Sequence, residues 1–283
     1  MQPLPQPDML VMGILRGMRY IEKQRNRIAP SMRLPAAAAR YITLQRLQTQ
    51  GIGKSIHYTP LGAIAYKLYE RSPLAHRVFR YYANTIEPRF RARKILADYR
   101  SIMAEEFATI APHLPASADR IMGIGAGVAG LEVLICQAYF ERLKRMPEVV
   151  IIDKTGMDKD MHFGFHDVAA IYNSLATATE VLESNGVPRS SVTALEPDGV
   201  AQWLAHNTGT IDIVTSLIAW GFHFPVPVYL DAVRRALKPD GMLIIDVRKQ
   251  TEGRQQLLTA FSDVSSIHDD PKFERLLCRG IRI

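Results

Sequence analysis

Residues 121–135 read IMGIGAGVAGLEVLI, in which a short apolar run meets a glycine cluster and an apolar-periodic segment follows without a break. This order of patterns predicts a strand, a tight turn and the start of a helix. Gly125 and Gly127 lack the Cβ atoms that would keep a ligand from the backbone, and Gly130 lets the helix lie close to the strand. A helix N-terminus offers unpaired N–H groups and a partial positive charge. The stretch therefore predicts a turn that binds a nucleotide-like cofactor.

A second predicted strand, EVVIID at residues 148–153, ends in a carboxylate soon after the glycine turn. We predict that Asp153 accepts hydrogen bonds from the vicinal hydroxyls of a ribose, with Lys154 beside it in the cofactor site. A role of Asp153 as a helix cap or loop residue is the alternative. The glycines also match the dinucleotide pattern G-x-G-x-x-G, so these two features leave NAD, FAD and S-adenosylmethionine open as cofactors.

Residues further along the chain distinguish these cofactors. A predicted strand at 211–218 (IDIVTSLI) is followed by a helix over 228–237, the turn KPDG at 238–241 and a buried strand at 242–248. This unit resembles the fourth-strand, helix and fifth-strand unit of class I S-adenosylmethionine-dependent methyltransferases, and the resemblance covers residues 118–283. It implies an α/β fold in which a Rossmann-like methyltransferase domain is built on a mostly parallel seven-stranded sheet.

The resemblance also implies which residues contact the cofactor. Gly123 stands where the family usually has an acidic residue that meets the methionine amino group, so that amino group needs another acceptor here. Glu196 or Asp198, at the end of the predicted third strand, could accept the exocyclic amine of the adenine. Ser216, near the end of the predicted fourth strand, completes the predicted set. A role of Asp198 in a turn before Gly199 is equally open.

The bulk composition is that of a globular protein. The chain has 283 residues, of which 47% are hydrophobic, so it can bury one α/β core and carry a further subdomain. No apolar run approaches about twenty residues, and the start of the chain lacks the pattern of a signal peptide. We therefore expect no membrane span and a cytoplasmic location. The two cysteines, Cys136 and Cys278, lie in apolar contexts typical of buried thiols.

Positive charge is concentrated in the N-terminal part of the chain. Residues 1–119 contain 18 Lys and Arg against 8 Asp and Glu, whereas residues 120–283 contain 17 against 20. No β alternation of useful length appears before residue 120, and this part is predicted to form four or five helices, including a longer one over about 89–110. We therefore predict an all-helical N-terminal cap at 1–117, ahead of the cofactor domain at 118–283. Basic segments favour anionic partners, although the same charges also suit the solvated faces of helices.

The composition of the cap predicts the kind of methyl acceptor. Tyrosines and arginines are interleaved there, which suits stacking on a sugar and pairing with phosphate. A packed helical bundle with a charged exterior is the alternative. We expect a small acceptor that is anionic or sugar-like and is methylated on a hydroxyl group. Nucleic acid is not the expected partner because no recognisable nucleic-acid module is present, and a homodimer stays open.

Three histidines are predicted to carry the chemistry. His223 is predicted to lie in a loop after the fourth strand, which Pro225 and Pro227 would stiffen. It is the first choice for the general base that takes a proton from the acceptor hydroxyl. A hydrophobic plug around His223 is the alternative. His162 and His166 lie in a loop before a helix predicted over 168–183, which Asp167 could cap. These residues lack the local spacing of a metal site, so no metal is assigned.

The sequence leaves two other functions open. A flavin- or NAD-dependent oxidoreductase would use the same glycine loop, and an RNA-associated methyltransferase-like module would use the basic N-terminal helices. A melting temperature that rises with NAD rather than S-adenosylhomocysteine would favour the oxidoreductase. RNA binding that depends steeply on salt would favour the RNA-associated module.

Overall fold

A computed structural model describes residues 32–45, 72, 74, 78, 81–157 and 172–282. The described helices, numbered in chain order, are α1 (Ala38–Gln45), α2 (Glu87–Ile110), α3 (Gly130–Leu143), α4 (Leu175–Ser184), α5 (Pro197–His206), α6 (Pro227–Ala236) and α7 (Gly253–Ala260). The described strands are β1 (Arg120–Ile124), β2 (Glu148–Ile152), β3 (Gly156–Met157), β4 (Tyr172–Asn173), β5 (Val192–Leu195), β6 (Ile211–Ser216), β7 (Ala219–Phe224), β8 (Leu237–Arg248), β9 (Phe261–Asp269) and β10 (Phe273–Ile281).

Seven of the described strands form one sheet in the order β5-β2-β1-β6-β8-β10-β9. Neighbours from β5 to β8 pair in parallel, whereas β10 is antiparallel to both β8 and β9. This arrangement confirms the predicted mostly parallel seven-stranded sheet and the Rossmann-like fold of the methyltransferase type. It departs from the strand order of dinucleotide-binding domains, because β10 is inserted between β8 and β9.

Helices cover both faces of the sheet, which explains why its central strands are almost continuous apolar runs. One face packs against α2, α3 and α4, and its core includes Ile42 of α1 together with Ile95 and Tyr99 of α2. The other face packs against α5, α6 and α7. The first core therefore crosses the predicted boundary at residue 117, so the described cap helices and the sheet share one hydrophobic core. Among the residues described, no helix combines the length and hydropathy needed to cross a membrane.

Two local predictions are corrected. The helix predicted over 168–183 begins only at Leu175, because Asn173 belongs to β4, which pairs with β3. The hydroxyl of Ser174 accepts the N–H of Thr177 at 3.2 Å and caps α4, whereas Asp167 lies outside the described residues. The predicted turn at 238–241 lies within β8, whose register against β6 shifts there.

Candidate functional site

The glycine loop joins the carboxyl ends of β1 and β2 through hydrogen bonds. The N–H of Gly125 donates to the carbonyl of Ile152 at 2.8 Å, and the N–H of Gly127 donates to Asp153 Oδ2 at 2.8 Å. Asp153 Oδ1 accepts the N–H of Lys154 at 2.8 Å. The loop follows β1 at the point where the strand order reverses towards β6, and ligands of open α/β sheets bind at such switch points. Four of the predicted cofactor residues are thus brought together at one edge of the sheet.

The glycines of the loop are required by contacts within the protein. Gly125 has φ +68°, and a Cβ there would overlap the side chain of the first residue of β7. Gly127 has φ +58°, and its Cβ would lie 2.7 Å from Gln45 Oε1 on α1. A Cβ on Gly130 would lie 2.5 Å from the hydroxyl oxygen of Tyr99. Gly130 therefore permits the close approach of α2, and its predicted role in the packing of α3 on the strand stays a prediction.

Asp153 has an unusual environment for a carboxylate. Burial raises its pKa to about 6, although the hydrogen bonds from Gly127 and Lys154 lower it. Asn173 Nδ2 donates to the carbonyl of Gly127 at 2.6 Å, while Asn173 Oδ1 is buried and has no hydrogen-bond partner among the described residues. A carboxylate and an amide oxygen at this edge can therefore accept further hydrogen bonds, as the hydroxyls of a ribose require.

Glu132 is a candidate site residue that sequence reasoning missed. A Cβ on Gly123 would lie 2.8 Å from Glu132 Cδ, so the Glu132 carboxyl group fills the space that a side chain at position 123 would take. Glu132 is 2% exposed, and burial raises its pKa to about 7, with a further contribution from the charge of Asp153. The sequence signal for Glu132 is that it is the single acid in the otherwise apolar run 128–136. Such a run predicts a helix that is buried on all sides, so an acid within it is expected to be buried as well.

The other two predicted cofactor residues make contacts within the protein. Both carboxylate oxygens of Glu196 accept the N–H of Thr155, at 3.0 and 3.2 Å. Ser216 is buried, and its hydroxyl donates to the carbonyl of Ile124 at 2.9 Å and accepts the N–H of Trp220 at 3.0 Å. The first contact ties the loop after β2 to the end of β5, and the second closes the turn between β6 and β7. Cofactor binding by Glu196 and Ser216 stays a prediction.

His223 lies on β7 rather than in a loop. Its ring packs edge-on against Phe222 with 4.9 Å between the centroids, and Phe222 contacts Phe273 at 5.9 Å. The guanidinium carbon of Arg248 lies 5.3 Å from the centroid of Phe222. His223 therefore packs against one side of an aromatic cluster, and the choice between general base and structural plug stays a prediction. Arg248 Nη1 is buried and has no hydrogen-bond partner among the described residues.

The remaining predicted residues are placed as follows. His162 and His166 lie outside the described residues, so their distance from His223 is part of the prediction. Within the described part of the chain, no cluster of three or more His, Cys, Asp or Glu side chains could hold a metal ion.

Cys136 and Cys278 are buried free thiols, as predicted, and burial raises the pKa of Cys278 to about 12.

A buried ion network lies at the same edge of the sheet. Asp246 on β8 accepts hydrogen bonds from Arg275 Nε at 2.7 Å and Nη2 at 2.8 Å. Arg275 also pairs with Glu106 of α2 and donates to Thr109 Oγ1 at 2.6 Å. Asp246 Oδ2 in addition accepts the N–H of Ile218, which has φ +51°. This left-handed conformation is strained for a β-branched residue, so the network holds a strained turn in place.

No family model matches the sequence, and no curated protein matches it. Solved structures that it resembles include an O-methyltransferase family protein from Burkholderia thailandensis (11% identity, 81% of this chain and 71% of that chain, TM-score 0.43). Another is a 16S rRNA methyltransferase from T. thermophilus in complex with AdoMet and guanosine (14% identity, 62% and 38%, TM-score 0.38). A match to a protein from Bacillus halodurans (20% identity, TM-score 0.35) covers 55% of this chain and only 56% of that chain. The fold assignment rests on the observed strand order, which together with the glycine loop defines a Rossmann-like domain of the methyltransferase type.

Proposed function

We propose that this protein is an S-adenosylmethionine-dependent methyltransferase that acts on a hydroxyl group of a small acceptor. The observation that carries the proposal is the hydrogen bond from Gly127 to Asp153, which holds a carboxylate beside the glycine loop at the switch point of the sheet. A nucleotide-like cofactor binds at this point in related architectures. The antiparallel β10 favours a methyltransferase over an NAD- or flavin-dependent oxidoreductase, because the dinucleotide order has no such insertion.

The residues present fit this cofactor. A carboxylate has about four acceptor sites, and the N–H groups of Gly127 and Lys154 and the side chain of Asn173 each take one on Asp153, which leaves capacity for a ribose hydroxyl. No side chain caps the N-terminus of α3, and its partial positive charge suits the carboxylate of the cofactor's methionine part. When bound, S-adenosylmethionine supplies an activated methyl group. The work of the protein is then to position the acceptor and to remove its proton.

The acceptor is proposed to lie against β7 and the end of β8. Arg248, whose Nη1 is buried and unpaired among the described residues, can donate to an anionic group on the acceptor. The half-buried ring of Phe222, which packs edge-on against the buried Phe273, offers apolar surface on which a sugar or a flat ring can stack. His223, next to Phe222, is proposed to accept the hydroxyl proton as general base. These assignments favour an anionic or sugar-like small molecule as the substrate class.

Isothermal titration calorimetry tests the cofactor directly. The wild-type protein should bind S-adenosylhomocysteine in the micromolar range and should not bind NAD or FAD. Asp153→Ala should weaken the binding of S-adenosylhomocysteine by roughly 1.5–3 kcal/mol, about 10- to 100-fold, the scale of hydrogen bonds to a charged group. Glu148→Ala, at the opposite and exposed end of β2, is the matched control and should bind normally. Binding of NAD or FAD in place of S-adenosylhomocysteine would overturn the proposal.

A further inference from the structure

Glu132 is a carboxyl group that the fold buries without a cation. It is the third residue of α3 and 2% exposed, and its Oε2 has no hydrogen-bond partner among the described residues. Its charged neighbour is Asp153, a second acid directly after β2, whose negative charge raises the pKa of Glu132. Buried carboxylates in proteins are normally paired with a cation or coordinate a metal. Glu132 therefore has the properties of a group whose partner comes from a ligand.

The position of Glu132 depends on Gly123. Any side chain at position 123 would collide with the Glu132 carboxyl group, because even a Cβ there would come within 2.8 Å of Glu132 Cδ. Gly123 lies on β1 between its partners Ile151 of β2 and Thr215 of β6, directly before the glycine loop. The carboxyl group of Glu132 on α3 thus occupies the space near the end of β1 that a side chain at position 123 would otherwise fill.

The chemistry of the surroundings selects the type of cation. The described residues contain no cluster of three or more potential metal ligands, so the donor set around Glu132 does not suit a metal ion. An ammonium group needs fewer partners, because each of its three N–H bonds can donate to a different acceptor. Glu132, the second acid Asp153 and Asn173 Oδ1, which has no hydrogen-bond partner among the described residues, provide acceptors beside the glycine loop.

We propose that Glu132 binds the primary ammonium group of S-adenosylmethionine, so that helix α3 rather than strand β1 supplies the anion for that group. The inference rests on the proposed function and adds the residue that distinguishes the complete cofactor from adenosine derivatives without an amino acid part. A salt bridge in a buried site strengthens the binding of S-adenosylhomocysteine and contributes nothing to a ligand without the ammonium group.

The proposal also predicts that a proton leaves the protein when the ligand binds. Without a ligand, burial holds the pKa of Glu132 at about 7, and an ammonium beside it must lower that pKa. The groups that face it include Asp153 from β2, whose charge raises its pKa, and Cys136 one turn along α3, whose buried thiol stays protonated. From α2, the Tyr99 hydroxyl lies beside Gly130 near the start of α3. Near pH 7, binding of S-adenosylhomocysteine should therefore release a proton from the protonated fraction of Glu132.

The test compares two ligands and three proteins by calorimetry at about pH 7.5. S-adenosylhomocysteine carries the ammonium group, whereas 5′-methylthioadenosine has the same adenosine and thioether without it. Glu132→Gln should lose about 10- to 100-fold in affinity for S-adenosylhomocysteine and should bind 5′-methylthioadenosine like the wild type. Glu141→Gln, an exposed acid on the same helix, should bind both ligands normally. Equal affinity of Glu132→Gln and wild type for S-adenosylhomocysteine would overturn the inference and leave the proposed function standing.

A second measurement needs no variant and therefore covers the case in which Glu132→Gln does not fold. Titrations of the wild type at about pH 7 in two buffers of different ionisation enthalpy report the protons released on binding. If more protons are released with S-adenosylhomocysteine than with 5′-methylthioadenosine, the result supports the inference. Equal proton release for the two ligands overturns it. If the wild type binds neither ligand, the proposed function itself fails.

Discussion

Asp246 accepts the backbone N–H of Ile218 at 3.1 Å, so one carboxylate connects the buried Arg275 with the strained turn between β6 and β7. A left-handed conformation costs a non-glycine residue roughly 1–2 kcal/mol, and such strain concentrates at functional sites. The turn leads directly into β7, which carries His223. The ion network therefore fixes the direction in which the strand of the proposed general base leaves the sheet.

Removal of the buried cation should destabilise the protein strongly. Arg275→Met leaves Asp246, which is fully buried, without its partner, and we expect the free energy of unfolding to fall by roughly 3–5 kcal/mol. Urea denaturation followed by circular dichroism measures the loss. Arg279→Met on the same strand is the control: Arg279 is half-buried and donates to a backbone carbonyl, so its loss should be much smaller. Equal stability of the two variants would contradict the assigned role of the network.

The glycine loop should tolerate no side chain at Gly125. Gly125→Ala forces an L-residue into φ +68° and against β7, and we expect a loss of at least about 1–2 kcal/mol from the backbone alone. Gly199→Ala is the matched control, because a Cβ at that helical position meets nothing within 4 Å. The control should be as stable as the wild type or more stable by up to about 1 kcal/mol. Thermal unfolding of both variants distinguishes loop strain from a general effect of alanine.

Glu132 should make the stability of the ligand-free protein fall as pH rises. The pKa of Glu132 is about 7 in the folded protein and 4.5 in the unfolded chain, so the folded state binds the proton more tightly. The resulting stabilisation of the folded state is present below about pH 4.5 and is lost as the pH rises to about 7. The difference between the two pKa values corresponds to a loss of roughly 3 kcal/mol in the free energy of unfolding. Glu132→Gln stays neutral, so its stability relative to the wild type should increase between about pH 5 and pH 8 in urea denaturation. A relative stability that does not change with pH would show that Glu132 is not buried as described.

His223 should be required for turnover and not for cofactor binding. Removal of a general base costs a factor of about 10²–10⁴ in rate, so His223→Ala should lose turnover and keep its affinity for S-adenosylhomocysteine. The wild-type rate should rise with pH near the pKa of an imidazole. His206→Ala, an exposed histidine on α5, is the control and should keep the full rate. If His223→Ala stays active, His162 or His166 becomes the next choice; if it loses stability and binding together, the aromatic plug is the better description.

The sequence predicts those parts of the fold that depend on local patterns. The apolar runs, the glycine cluster and the order of strands and helices indicate the sheet, and the helix predicted over 89–110 is found at Glu87–Ile110. His223 was expected in a loop, yet Trp220, Phe222 and Phe224 alternate as they do in strands, so the pattern for β7 was present. Pro225 and Pro227, which follow His223, favour a loop and obscure this alternation.

The rest depends on contacts between residues that are distant in sequence. Arg275 and Glu106 are separated by 169 positions, and no local pattern indicates that they pair across the sheet. The sequence does not indicate that the Glu132 side chain faces Gly123. Every neighbouring residue in the first turns of α3 is buried, so the apolar pattern does not distinguish one side of the helix from another. The short strand β4 was missed because its two residues precede a helix with a clear apolar period.

The position of β10 has a consequence for synthesis on the ribosome. Strand β9 leaves the ribosome before β10, but β10 lies between β8 and β9 in the finished sheet. Until residues 273–281 have emerged, the apolar strand β8 has an open edge on that side, and β9 has no strand to join. Open apolar edges are templates for pairing with other chains. The nascent protein therefore passes through an aggregation-prone interval that ends only when the β9–β10 hairpin docks as a unit.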